Sequence, residues 1–129
     1  MTIDTSWGED GVEYRLSGVV TLEELQGCVF SYSSDPRADT ARYKIIDVRS
    51  VESAEVTIEQ LETLGAFEYG QTLSTPGLRM AFVSDGRFDM LVDAFTVLMK
   101  DSSWTVRSFA EPEAAAAWAK GEQATGAVA

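Results

Sequence analysis

Between Leu78 and Lys100 the chain changes its hydrophobic period. Residues 80–83 form a short apolar run that ends in Ser84-Asp85-Gly86. From Arg87 onward the apolar residues return at helical spacing, with Phe88, Leu91, Val92, Phe95, Leu98 and Met99 on one face and Asp89, Asp93, Thr96 and Lys100 opposite. A buried strand, a polar turn and an amphipathic helix make half of a βαβ unit. Met90, Ala94 and Val97 fall between the two faces and widen the apolar arc past an ordinary core stripe. A neighbouring helix, a second subunit or a ligand must cover so wide an arc. Phe88, Leu91, Val92 and Phe95 are expected to face the sheet, which leaves Met90, Ala94 and Val97 as a partner or self-association face.

The same order occurs upstream. Residues 43–48 read as a strand, with adjacent Ile45 and Ile46 suited to burial on both faces and Asp47 interrupting its end. Residues 51–55 then read as a connecting loop. Thr57-Ile58-Glu59-Gln60 has the form of a capping box. The helix it opens runs to about Leu73, with Ile58, Leu61, Gly65 and Tyr69 on one face and Gly65 marking close packing of helix on sheet. Ser74-Thr75-Pro76-Gly77 stops it.

Nearer the N-terminus, Ile3, Thr5 and Trp7 alternate with polar neighbours, as do Val12, Tyr14 and Leu16, around Gly8-Glu9-Asp10-Gly11. This predicts a hairpin, broken afterwards by Gly18. Thr21-Leu22-Glu23-Glu24 is a second capping box, followed by Leu22, Leu25, Val29 and Tyr32 on one helical face and a polar loop over residues 33–39. After a turn at Ser102-Ser103, residues 104–109 form the last strand. Pro112 opens the last helix at its first position, with Trp118 as its one large anchor.

The order β-β-α-β-α-β-α-β-α is that of an α/β fold. It predicts a mixed sheet of about five strands, an antiparallel hairpin followed by parallel strands, with about four helices. Residues 1–120 read as a single domain, and residues 121–129 as a flexible tail.

Composition narrows the chemistry. The 129 residues carry 21 Asp and Glu against 10 Lys and Arg, a net charge of −11, which disfavours nucleic acid and anionic membrane surfaces. No apolar run reaches the length of a membrane span, and Met1-Thr2-Ile3-Asp4 does not begin a signal peptide, so the expected location is cytoplasmic. There is no histidine, which removes the commonest general base and transition-metal ligand. The single Cys28 cannot form an internal disulfide and reads as a small buried hydrophobe.

In open α/β sheets ligands sit outside the carboxyl ends of the strands. Those ends carry Asp47, Arg49 and Ser50 after one strand, and Ser84, Asp85 and Gly86 after the next. Two carboxylates there could do acid/base work. Their bland roles are a helix cap for Ser84 or Asp85, and an ion pair or loop-amide contact for Asp47. Phosphate-loop, Gly-x-Ser-x-Gly and calcium-loop spacings are absent, and no metal or cofactor is implied.

Lys44-Ile45-Ile46-Asp47-Val48-Arg49-Ser50-Val51-Glu52 resembles the central strand of STAS domains, the fold of the anti-sigma-factor antagonist SpoIIAA. The ending, Val106-Arg107-Ser108-Phe109 followed by an acidic, alanine-rich helix with Trp118, is similar to the SpoIIAA-like branch. The resemblance implies a non-enzymatic binding or regulatory module for a protein partner or small apolar ligand. Its Asp-Ser-Ser-like phosphorylated turn falls on Glu55-Val56-Thr57, so the phosphoacceptor position is Val56, which cannot take phosphate, and the adjacent Thr57 serves as a helix N-cap. The candidate ligand or partner residues are Asp47, Arg49, Ser50, Thr57, Ser84, Asp85, Met90 and Val97, with no catalytic residue among them. Two other readings are a small enzyme using Asp47 and Asp85, and a homodimeric structural module using the helix after Gly86.

Overall fold

The computed structural model describes residues 2–121. Strand β1 (Thr2–Trp7) pairs antiparallel with β2 (Gly11–Thr21), from Thr2 opposite Ser17 to Trp7 opposite Val12. Strands β3 (Tyr43–Glu55), β4 (Arg79–Val83) and β5 (Thr105–Phe109) follow in parallel, so the sheet order is β1-β2-β3-β4-β5. Helices α1 (Leu22–Ser34), α2 (Ile58–Ser74) and α3 (Asp89–Met99) are the crossovers, and α4 (Pro112–Lys120) closes the series. This is the expected mixed sheet with four helices.

Because each parallel strand lands beside its predecessor, crossovers of one hand must all lie on one face of the sheet. The burial pattern agrees. Val12, Tyr14, Leu16, Met80 and Phe82 join Val29, Leu61, Leu64, Val92 and Phe95 in the larger core, under α1, α2 and α3. The alternate positions Tyr43, Ile45, Ala81 and Val83 pack against Ala115 and Ala119 of α4 on the other face. The strand period of two thus splits β3 and β4 between two cores.

Several elements differ from the expectation. Gly18 does not break β2. It takes a left-handed φ of 76° inside the strand, and register shifts beside it let the pairing with β3 run on to Thr21. Residues 51–55 are not a loop, because β3 continues to Glu55 along this lengthened β2. Strand β4 ends at Val83, opposite Asp47, so β2 and β3 project beyond it as a two-stranded ribbon. Helix α1 reaches Ser34, and a short 3-10 turn at Pro36–Thr40 fills much of the expected polar loop.

The buried face of α2 is Leu61, Leu64, Gly65, Glu68 and Thr72, whereas Ile58 and Tyr69 are exposed. A buried glutamate hides this face from a hydropathy reading. Gly65 meets Leu98 of α3, so the close approach is helix on helix rather than helix on sheet. Neither Ser84 nor Asp85 caps α3, whose N-cap is Phe88 with no side-chain hydrogen bond. The Thr57 capping box forms as expected, with the Gln60 amide donating to Thr57 Oγ1 at 3.1 Å and the Thr57 amide to Gln60 Oε1 at 3.0 Å. On α3, Ala94 packs on the core, but Met90 and Val97 are 76% and 60% exposed. Residues 122–129 of the expected tail lie outside the described residues, and Gly121 is the left-handed C-cap of α4.

Two glycines make opposite predictions. A Cβ on Gly11 would sit 2.5 Å from the Tyr43 carbonyl oxygen and equally close to its ring. Backbone cannot yield there, so Gly11→Ala should cost about 1–3 kcal/mol in denaturant titrations. A Cβ on Gly70, inside α2, meets nothing. Gly70→Ala should instead stabilise by up to about 1 kcal/mol.

Candidate functional site

The larger core is incompletely filled. A cavity of about 140 Å³ lies between the sheet and α1, α2 and α3. Its sheet wall follows the period of two, with Tyr14 and Leu16 on β2, Lys44, Ile46 and Val48 on β3, and Met80 and Phe82 on β4. The projecting ribbon extends this wall through Val20, Val51 and Ala54, and Val56 continues it toward α2. The helices close it with Leu25 and Val29, Leu61 and Leu64, and Leu91, Val92 and Phe95. The ribbon exists because β2 and β3 outrun β4, so the strand extension missed by the sequence reading supplies much of this wall.

Among the described residues, Lys44 and Glu68 are the charged ones lining the cavity. Lys44 Nζ donates to both Glu68 carboxylate oxygens at 3.2 Å, and the two side chains are only 2% and 5% exposed. The ammonium also lies 3.7 Å from the centroid of the Tyr32 ring and 5.2 Å from that of Trp104, so it is held by aromatic faces as well as by the carboxylate. Tyr14 of the sheet wall and Cys28 of α1 also line the cavity. Burial pushes the Tyr14 hydroxyl far above the usual phenol range and, despite nearby Lys44, raises the Cys28 thiol to about 11. Both stay protonated at neutral pH, so Cys28 is a poor nucleophile.

The residues expected at strand ends lie elsewhere, and Asp47, Arg49 and Ser50 fall inside β3 rather than after it, because β3 continues to Glu55. Asp47 belongs to the alternate β3 positions and borders a depression of about 380 Å³ on the α4 side, with Asp4, Glu13, Arg15 and Arg49. Asp47 is clamped by Arg49, whose Nε and Nη2 donate at 3.0 and 2.8 Å and whose amide donates at 3.0 Å. Asp85 accepts likewise from the amide and Nε of Arg87, and Asp35 from the amide, Nε and Nη2 of Arg37. Each is an Asp-x-Arg pair closed on itself, the Asp47 pair within β3. Arg87 Nη2 also donates to the Arg49 carbonyl at 2.8 Å, tying the Asp85–Arg87 pair to the Asp47–Arg49 pair. Ser84 Oγ accepts from the Gly86 amide at 3.2 Å. Ser50 and Thr57 are exposed, and the exposed Met90 and Val97 do not line the cavity. The structure therefore links the segments 47–50 and 84–87 through Arg87 and the Arg49 carbonyl, and leaves Thr57, Met90 and Val97 outside that link.

The sequence reading missed Lys44, Glu68 and Tyr14 as site residues. A signal was present: Glu68 continues the stripe Leu61, Leu64 and Gly65 at helical spacing, and Lys44 stands two residues before Ile46 on one strand face. Opposite charges at two core-facing positions point to a buried pair. Among the described residues no three His, Cys, Asp or Glu side chains cluster as a metal ion would require.

Two predictions follow from these charges. Lys44→Met or Glu68→Leu alone should cost about 3–5 kcal/mol, because each strands a buried charge, and the double variant should recover most of it. Denaturant melts of all three variants check this. The second concerns acid. Burial tends to raise the Asp47 carboxyl, but the hydrogen bonds and charge of Arg49, with Arg15 nearby, outweigh it and hold the carboxyl below the ordinary range. Its stabilising contribution is complete above the unfolded-state value of about 3.9 and disappears as pH falls through the lower folded-state value. Asp47→Asn should therefore lower the Tm at pH 7 and lose that difference at strongly acid pH.

No protein-family model and no curated protein matches the chain. Among solved structures it is similar to an uncharacterized protein of the DUF3478 family, with a SpoIIAA-like fold, from Shewanella loihica PV-4. The TM-score is 0.58 at 15% identity, over 92% of each chain. At that identity the likeness concerns architecture, and it agrees with the strand order and crossovers described above: the chain has a SpoIIAA-like α/β fold.

Proposed function

We propose that this chain is a non-enzymatic binding module whose cavity takes a small apolar ligand. The cavity carries the reading: about 140 Å³, walled by aliphatic and aromatic side chains, with Lys44 and Glu68 already satisfying one another. Apolar cavities of this size stay dry and accept a single ring. Val56 gives further support. The position that resembles a phosphoacceptor turn contributes an aliphatic side chain to the cavity wall, and the adjacent Thr57 is engaged in its capping box. The Asp47 and Asp85 carboxylates support a non-enzymatic role, since Arg49 and Arg87 occupy them and both carboxyls are held low, which makes them weak bases near neutrality.

The experiment is a toluene titration followed by amide chemical shifts and Tm. Binding should raise the Tm and move amides of Leu16, Val51, Leu64 and Phe95. Ala54→Phe and Val56→Phe, which fill the cavity from the ribbon end, should keep the circular dichroism of the parent and lose the response. Shift changes confined to the outer face of α3 would refute the cavity as the site.

A further inference from the structure

The polar end of the cavity combines charge with neutrality. Lys44 Nζ spends two donors on Glu68 and presses against the Tyr32 ring. The Glu68 carboxylate has both oxygens engaged by the same ammonium. Beside them the Tyr14 hydroxyl and Cys28 thiol are both uncharged. Among the described residues no other Asp, Glu, Lys or Arg lines the cavity. The two buried charges cancel, and what remains at that end are dipoles.

We propose that the cavity selects uncharged ligands, ring-sized and carrying at most one hydrogen-bonding group, over carboxylates and ammonium ions of the same shape. This rests on the apolar-ligand reading above and adds the ligand's charge class. A carboxylate entering the cavity would shed its water and find Lys44 already neutralised, with the Glu68 anion beside it. An ammonium would find Glu68 held by Lys44. Neither charge gains a free partner, so each meets its desolvation cost uncompensated. A hydroxyl or carbonyl sheds far less hydration. A net charge of −11 adds to the exclusion of anions.

The test is a matched panel at pH 7, with toluene, benzyl alcohol, benzoate and benzylamine titrated into the full chain and followed by amide shifts of the cavity residues. Toluene and benzyl alcohol should bind roughly tenfold or more tightly than either ion. Glu68→Gln leaves the Lys44 cation without its counter-ion and should turn the preference toward benzoate. Lys44→Met leaves Glu68 and should turn it toward benzylamine. Benzoate or benzylamine matching benzyl alcohol in the parent chain would overturn the selectivity while leaving the apolar-ligand reading intact. Failure of all four probes to bind would overturn that reading and the selectivity with it. A folded Glu68→Gln chain with unchanged preference would overturn the ion pair as the source. The parent panel decides alone if neither variant folds.

Discussion

The Lys44–Glu68 pair joins the second parallel strand of the sheet to the helix that follows it, and contacts radiate from it to both ends of the chain. Tyr32 of α1 lies under the ammonium and stacks on Trp7 of β1, with ring centroids 5.9 Å apart. Trp104, just before β5, faces the same ammonium and donates through Nε1 to the Thr75 carbonyl at 2.6 Å, and Thr75 Oγ1 donates to the Ala38 carbonyl at 2.9 Å. Two charges taken out of water are thus faced by rings from α1 and the approach to β5, with Trp7 of β1 backing the first of them. Desolvation makes such a pair a modest contributor to net stability. Its stronger effect is on geometry, because the helix can sit over the sheet only where the carboxylate meets the ammonium.

The sheet keeps two kinds of chemistry apart. On the α1–α3 side, large side chains meet imperfectly around a cavity. On the α4 side, Ala81 meets Ala115 and Ala119, and small residues let helix and sheet approach closely. Asp47 belongs to that second side, at the rim of a charge-lined depression. A carboxylate on one face of a sheet cannot act on a molecule held against the other. Proximity along the chain, as between Asp47 and Ile46, therefore says nothing about shared chemistry when successive residues of a strand point in opposite directions.

The architecture was readable because its signals are local. Hydrophobic period, the Thr57 capping box and the Pro76-Gly77 stop each depend on a few neighbouring residues, and together they predict every helix and strand in order. Where the reading erred, a distant partner decided. Gly18 reads as a breaker until β3 lies alongside and absorbs the irregularity as a register shift. The residues after Arg49 look like a loop because Glu52, Ser53 and Glu55 are polar, yet pairing with β2 holds them in a strand. Asp85 looks like a cap, but the arginine two residues later takes it first. The strand-end candidates came from a general rule about where ligands sit. The cavity came from the packing of side chains across three helices, which no single stretch of sequence encodes.

The spatial order of the strands is also their order of synthesis. Each new strand finds its template already beside it, and none must be threaded between two that are already paired. Chain growth can therefore lay the sheet down from one edge to the other. Loop-closure entropy stays modest at every step, since each closure spans only one helix. The opposite edge is the last to form. Until β5 arrives, β4 is an exposed strand of almost wholly apolar sequence, Arg79-Met80-Ala81-Phe82-Val83. During that interval the nascent chain is open to edge-to-edge pairing with other copies. The time spent waiting for residues 84–109 sets its hazard of aggregation, which makes yield in the cell a matter of translation rate as well as of final stability.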